Sequence, residues 1–283
     1  MANAMANLGI KTTCICSFGK DEINDVFKVM SPDCKIISIG DPAYTHAFEF
    51  SDGKLMFGKS NELNKINWEE MKRCVGLQNI INFFKESHLI GIVNWSSIYH
   101  MNTILDGITR EILPEMPAYD LEKKYIFFDI ADPSRRSRED LMNFFTILRK
   151  FGEKSKVILG LNEKEANIVC ENLNNGFETV NNNRDIGKCI FDKLNIHLLN
   201  IHTLDNTVAV FKDGIMEVAG FYVDNPKIST GGGDNYNAGF CMGQLLQLSL
   251  EQSLIVANAT ASFYVSNGFS PKFDELIEFL GSK

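Results

Sequence analysis

No run in this sequence approaches the roughly 20 apolar residues that a membrane-crossing helix needs. The opening residues, Met-Ala-Asn-Ala-Met-Ala-Asn, have neither the basic start nor the apolar block of a secretory signal. The seven cysteines contain no C-x-x-C pair, and the five histidines fall at no ligand spacing with them. Neither a zinc ribbon nor a dithiol redox centre is therefore written in the chain. Basic excess is absent too. Lys and Arg total 28 against 36 Asp and Glu, a formal net charge of −8, which disfavours a broad nucleic-acid or anionic-membrane surface. No Walker A loop and no G-x-G-x-x-G fingerprint occurs. These absences describe a soluble, reduced, cytoplasmic protein with no nucleic-acid or membrane partner.

What is present is ordinary globular composition, 45% hydrophobic and 23% charged over 283 residues. Apolar strand-like runs alternate with amphipathic helix-like runs, the pattern of a mostly parallel sheet flanked by helices. Strands are predicted over Thr12–Phe18, Lys35–Ile39, Leu89–Val93, Tyr125–Asp129, Lys156–Leu159, His197–Thr203 and Thr207–Phe211. Helices are predicted over Met101–Leu113, Arg138–Phe151, Glu163–Leu173, Asp234–Leu246 and Leu250–Val265. Two short β-type runs, Thr45–Phe50 and Lys54–Phe57, flank an Asp52-Gly53 hairpin signal. They form either a lid or oligomer contact, or a plain edge hairpin. Cys14 and Cys16 point to one face of their strand and are read as core packing, and Trp68 and Trp95 as core aromatics. A helix-like run, Ala2–Leu8, stands where a doubly wound domain usually places a strand. The fold either starts unusually or the chain lacks residues of a longer version.

The segment Ser229-Thr230-Gly231-Gly232-Gly233-Asp234 runs directly into a helical stretch. Consecutive glycines are costly inside a helix or strand. At a helix start they leave backbone N–H groups unobstructed, where the helix dipole favours an anion. Asp234 then has two readings: an N-cap, or a general base beside an anion hole that takes the proton of an attacking hydroxyl. Asn162 and Glu165 likewise have two. They make a capping box, or they organise phosphates and a magnesium ion, which keeps several waters and needs only one carboxylate. Arg135, Arg136 and Arg138 either clamp an anionic or polyhydroxylated substrate or form a solvated basic helix start.

Gly231-Gly232-Gly233-Asp234 followed by Asn237-Ala238-Gly239 resembles the C-terminal signature of the ribokinase-like (PfkB-type) carbohydrate kinases. The resemblance continues in chain order. Ala2–Gly9 resembles the family's early helix, with Asn3 at its substrate-binding Asn. Ser17–Glu22 resembles the step that follows. Asp132-Pro133-Ser134-Arg135-Arg136 resembles the Asp-Pro-Asn-x-Arg segment of several sugar kinases, and Asn162–Glu165 the family's Asn-x-x-Glu.

The resemblance implies a three-layer α/β sandwich, one kinase domain over residues 1–283 with 45–57 as its β lid, and a homodimer as an expectation. It implies transfer of the γ-phosphoryl group of ATP to a sugar hydroxyl, or to a nucleoside. Asp234 is then the catalytic residue, and Gly231, Gly232 and Gly233 form the anion hole. Asn162, Glu165, Thr203, Thr230 and Asn258 contact ATP and its phosphates, Glu165 holds Mg2+ through water, and Asn3 and Arg136 bind substrate.

Three departures accompany the match. The family's opening strand, acidic sugar ligand and di-glycine hinge do not precede Asn3. Ile228 stands where many members place an acid for a monovalent cation, which implies weak potassium activation. Leu204-Asp205-Asn206-Thr207 replaces a glycine-containing nucleotide loop. A non-catalytic binding member and a nucleotide-binding oxidoreductase remain the rival readings.

Overall fold

A computed structural model describes residues 1–50, 53–174 and 182–282. Helix α1 (Ala2–Asn7) leads into β1 (Thr12–Cys16) and β2 (Cys34–Ser38), a parallel two-stranded sheet. Strands β3 (Tyr44–Phe50) and β4 (Gly53–Lys59) form the antiparallel hairpin; Ser51 and Asp52 of the expected turn lie outside the described residues. Helices α2 (Trp68–Val75) and α3 (Leu77–Glu86) precede β5 (Leu89–Ile92). Helix α4 (Met101–Gly107) continues through a π-type turn over Ile108–Ile112, and α5 (Ala118–Leu121) follows. Next come β6 (Tyr125–Asp129), α6 (Arg138–Gly152), β7 (Lys156–Asn162), α7 (Glu163–Leu173), α8 (Asn183–Leu194) and β8 (Leu198–His202). The chain finishes with β9 (Asn206–Phe211), β10 (Gly214–Ala219), α9 (Gly232–Leu245), α10 (Leu250–Asn267) and α11 (Phe273–Gly281).

The main sheet has the order β10-β9-β8-β7-β6-β5. Strands β5 to β8 are parallel, while β9 and β10 return as antiparallel hairpins. Period-two alternation sends successive side chains to opposite faces, and both faces are apolar because both are covered. Ile126 and Phe128 of β6, Leu159 and Leu161 of β7, and Leu199 and Ile201 of β8 enter one core with Phe144 and Leu148 of α6 and Ile190 of α8. Phe127, Ile158, Leu198 and Ala209 enter the other with Tyr236 and Phe240 of α9, Ala257 of α10, Met5 of α1 and Leu8 at its end. Complete burial of such side chains contributes roughly 1.5–3 kcal/mol each. The result is a helix–sheet–helix sandwich of the expected class.

Trp68 and Trp95 are core residues, 4% and 1% exposed. The cysteine expectation fails: Cys14 is half-buried and Cys16 exposed. Their strand belongs to the small β1–β2 sheet, which has too little structure over that face to bury it.

Parallel strands bring their carboxyl ends together, and helix N-termini follow directly on them. Asn162 and His202 are register partners at the ends of β7 and β8, and Asp129 at the end of β6 pairs with Gly160. By alternation from Phe127, Ile158 and Leu198, the side chains of Asp129, Asn162 and His202 all face the α9 side.

Candidate active site

The glycine turn enters α9 through a left-handed residue. Gly231 is the N-cap with φ +99°, and a Cβ there would stand 2.6 Å from the Tyr264 hydroxyl oxygen. Only glycine meets both conditions. Tyr264 donates to the Thr230 carbonyl (2.9 Å), so α10 fixes the turn's approach. The Gly232 amide donates back to the Ser229 carbonyl at 3.2 Å. Of the three glycine amides, this one is engaged within the turn itself. The amides of Gly231, Gly233 and Asp234 lack an intrahelical acceptor by their position at the helix start.

Asp234 is the third residue of α9, and no side chain caps this helix. The N-cap reading of Asp234 therefore does not hold. Its carboxylate is 54% exposed and Oδ1 accepts from the Met1 ammonium at 2.9 Å.

Asn162 and Glu165 form the complete capping box at the start of α7. The Asn162 Oδ1 accepts from the Glu165 amide, and Glu165 Oε2 accepts from the Asn162 amide, both at 2.9 Å. Glu165 is buried, and burial pushes its carboxyl up to about 8, with the Asp129 and Asp132 charges adding to the shift. A cation beside it would offset that penalty. Among the described residues, no three His, Cys, Asp or Glu side chains converge as a direct metal cage.

Asp129 and Asn237 join the two clusters and were not assigned roles from sequence. Asn237 donates to Asp129 Oδ2 at 2.6 Å, and the amide of Ala131, itself at φ +52°, donates to Oδ1 at 2.9 Å. Burial raises the Asp129 carboxyl, and Asp234 raises it further. An acid closing a buried strand is the signal that could have found it. His202 also went unassigned. Its ring stacks on Tyr236 at 4.7 Å between centroids, and Nε2 lies 3.3 Å from where a Gly233 Cβ would stand.

The remaining predicted residues divide. Thr203 closes the β8–β9 hairpin, its hydroxyl donating within the turn to the Asn206 carbonyl at 3.0 Å. Thr230 sits in the glycine turn itself. Asn258 is buried, accepting from the Thr207 hydroxyl (3.0 Å) and donating to the Ala219 carbonyl (3.1 Å), so it pins α10 to β9 and β10. Asn3 accepts from the Ser31 amide at 2.8 Å, tying α1 to the loop before β2. Arg136 ties the N-terminal end of α6 to the segment after β5. Its side chain is 5% exposed, donates to the carbonyls of Trp95 (3.3 Å) and Ile98 (3.0 Å), pairs with Asp140 (3.3 Å) and lies over the Trp95 ring.

Solved structures of the same fold cover nearly all of this chain. A ribokinase from Thermotoga maritima is 17% identical with a TM-score of 0.71, over 99% of this chain and 85% of that one. An adenosine kinase from Sinorhizobium meliloti is 14% identical with a TM-score of 0.72, over 99% and 80%. A fructokinase from Xylella fastidiosa, with bound ATP, is 13% identical with a TM-score of 0.70, over 99% and 88%. In sequence, a ketohexokinase of Haloferax volcanii is 25% identical over 279 residues, 99% of this chain and 72% of that protein. A family model of prokaryotic ketohexokinases matches residues 1–282. With a ribokinase-like sandwich and a sequence match over its whole described length, the chain belongs to the prokaryotic ketohexokinase family and is a phosphotransferase acting on a hydroxyl of a sugar or nucleoside.

Proposed function

We propose that the protein transfers the γ-phosphoryl group of ATP to a hydroxyl of a ketohexose, with Asp234 as general base. The observation that carries this reading is the start of α9. Asp234 stands in the first turn behind a glycine cap, is not used as a cap, and is exposed to an incoming donor. The Asp234 carboxylate takes the hydroxyl proton as the substrate oxygen bonds to the γ-phosphorus. The bond from that phosphorus to the β-phosphate oxygen breaks, and ADP leaves. The first-turn amides and the dipole of α9 stabilise the phosphoryl oxygens. Positioning and charge stabilisation do most of the work in such transfers.

Magnesium, when bound, neutralises charge on the phosphates. Glu165 with Asn162 is the fitting place for it, because Glu165 is buried beside two other carboxylates. The fructokinase relative with bound ATP supports the choice of nucleotide, and the ketohexokinase relative supports the ketose. The β3–β4 hairpin is read as a lid over a single kinase domain and as the contact of a homodimer.

Asp234→Asn tests the assignment. ADP release with a ketohexose should fall by about 10²–10⁴-fold, with ATP binding by calorimetry close to the parent's. Near-parental turnover would remove Asp234 from the mechanism. ATP binding by the parent without turnover on any sugar would favour the non-catalytic reading.

A further inference from the structure

The imidazole of His202, at the end of a central strand, sits against the glycine turn. It closes β8, opposite Asn162 of β7 in register, and shares the face of Asn200 and Leu198. Its ring is held flat against Tyr236, with an interplanar angle of 24°, and Tyr236 is itself anchored by donating to Asn200 Oδ1 at 2.9 Å. Tyr236 is buried, so the pair is a fixed wall rather than a swinging side chain.

The two ring nitrogens differ sharply. Nδ1 is shielded from solvent and has no hydrogen-bond partner among the described residues. Nε2 faces the glycine turn, 3.3 Å from the position a Cβ on Gly233 would occupy. A neutral imidazole carries one N–H and one lone pair. Burial keeps His202 neutral at ordinary pH, pushing it down to about 4. A buried N–H with no acceptor is among the rarest groups in folded proteins, and leaving one unmade is expensive. The proton therefore belongs on Nε2, and the orphaned Nδ1 carries the lone pair.

From this geometry we infer that His202 is a phosphate-binding side chain, its Nε2–H donating to a phosphoryl oxygen held at the N-terminus of α9. The inference rests on the reading of that helix start as the phosphate site. It adds a neutral, directional donor to the first-turn amides, on the side facing Asn162. It also gives Gly233 a second reason to be glycine, since a side chain there would stand between Nε2 and the anion.

The test uses the full chain with two replacements. His202→Phe keeps a ring stacked on Tyr236 and removes the donor; His202→Gln keeps an amide donor. Kinetics with MgATP and a ketohexose are run beside Asp234→Asn, and nitrogen-15 NMR reports the His202 tautomer in the parent. We expect His202→Phe to lower kcat/KM for ATP by roughly ten- to a hundredfold, with the KM for the sugar unchanged, and His202→Gln to recover most of the loss. The parent spectrum should show Nε2 protonated and Nδ1 bare. Parental kcat/KM in the Phe variant, or a proton on Nδ1, overturns the inference, and the tautomer decides it even if the Phe variant fails to fold. Should Asp234→Asn keep full turnover, the reading of the helix start fails instead, and that outcome is separate from the tautomer.

Discussion

Asp234 and Glu165 hold the same position in their helices, third in the first turn, yet do different things. Glu165 is one methylene longer and follows an Asn cap, so it reaches back to the Asn162 amide and closes a capping box. Asp234 follows a glycine cap with no side chain to reciprocate, and its carboxylate takes no part in capping, accepting from the Met1 ammonium instead. His202 supplies a prediction at the same scale. Its imidazole is lowered from 6.5 to about 4 by burial alone. Among the described residues the groups it faces are uncharged: Tyr236 and Gly233 from α9, Thr207 opposite on β9 and Asn162 on β7. A base depressed in the folded state leaves stability that is whole above pH 6.5 and is lost as pH falls toward about 4. Unfolding free energy measured across that window should fall in the parent by up to about 3 kcal/mol from this group. His202→Phe should lack that component of the slope; identical slopes would mean the ring is open to water.

Among the elements, α9 and α10 pack through glycines that let the two helices come close. A Cβ on Gly243 would lie 2.8 Å from the Ser253 Cα, closer than packed atoms tolerate. Gly243→Ala should therefore destabilise by about 1–3 kcal/mol, lowering the melting temperature by roughly 2–4 °C per kcal/mol for a chain of this size. An unchanged melt would show that the helices separate freely. Turnover should fall as well, because α9 carries Asp234 at its other end. Most of these elements were legible in the sequence. The apolar runs Tyr125–Asp129 and Lys156–Leu159 marked the central strands, and the glycine run placed the start of α9 within two residues. Strand β10 was missed because it is a half-exposed edge with Glu217 in its middle, so it carries no apolar run. Helices α2 and α3 were missed because Gly76, at φ +84°, divides them into two short pieces. Within the site, the glycine turn and the Asn162–Glu165 pair were local and readable. Asp129, Asn237 and His202 meet only through the fold. Each is a single polar residue on a buried element, and alternation tells which face it takes but not what lies across from it.

The whole molecule carries one surface that a lone chain does not account for. Antiparallel register puts Tyr44, His46, Phe48, Phe50, Leu55 and Phe57 on one face of the β3–β4 hairpin. Phe48, Leu55 and Phe57 are 54%, 56% and 60% exposed. A two-stranded sheet is marginal in water on its own, and contiguous exposed apolar surface of this kind marks an interaction site. Sedimentation should find the parent dimeric and the double variant Phe48→Asp/Phe57→Asp monomeric with its melting temperature retained. A parent that sediments as a monomer at tens of micromolar would remove the homodimer.

Among the described residues, no ladder joins the β1–β2 pair to β5 or to the rest of the main sheet. Its attachment is by side chains instead, Ile15 and Ile37 against one core and α1 against α9. The central strands β6, β7 and β8 are thus held by ladder bonds on both sides, whereas β1 and β2, tied to α1 through the bond between Asn3 and Ser31, are held to the rest by side chains, the kind of attachment that opens locally at lower cost. Whatever binds at the start of α9, where Met1 meets Asp234, thus touches both the ladder-held sheet and the segment that only side chains fasten to it.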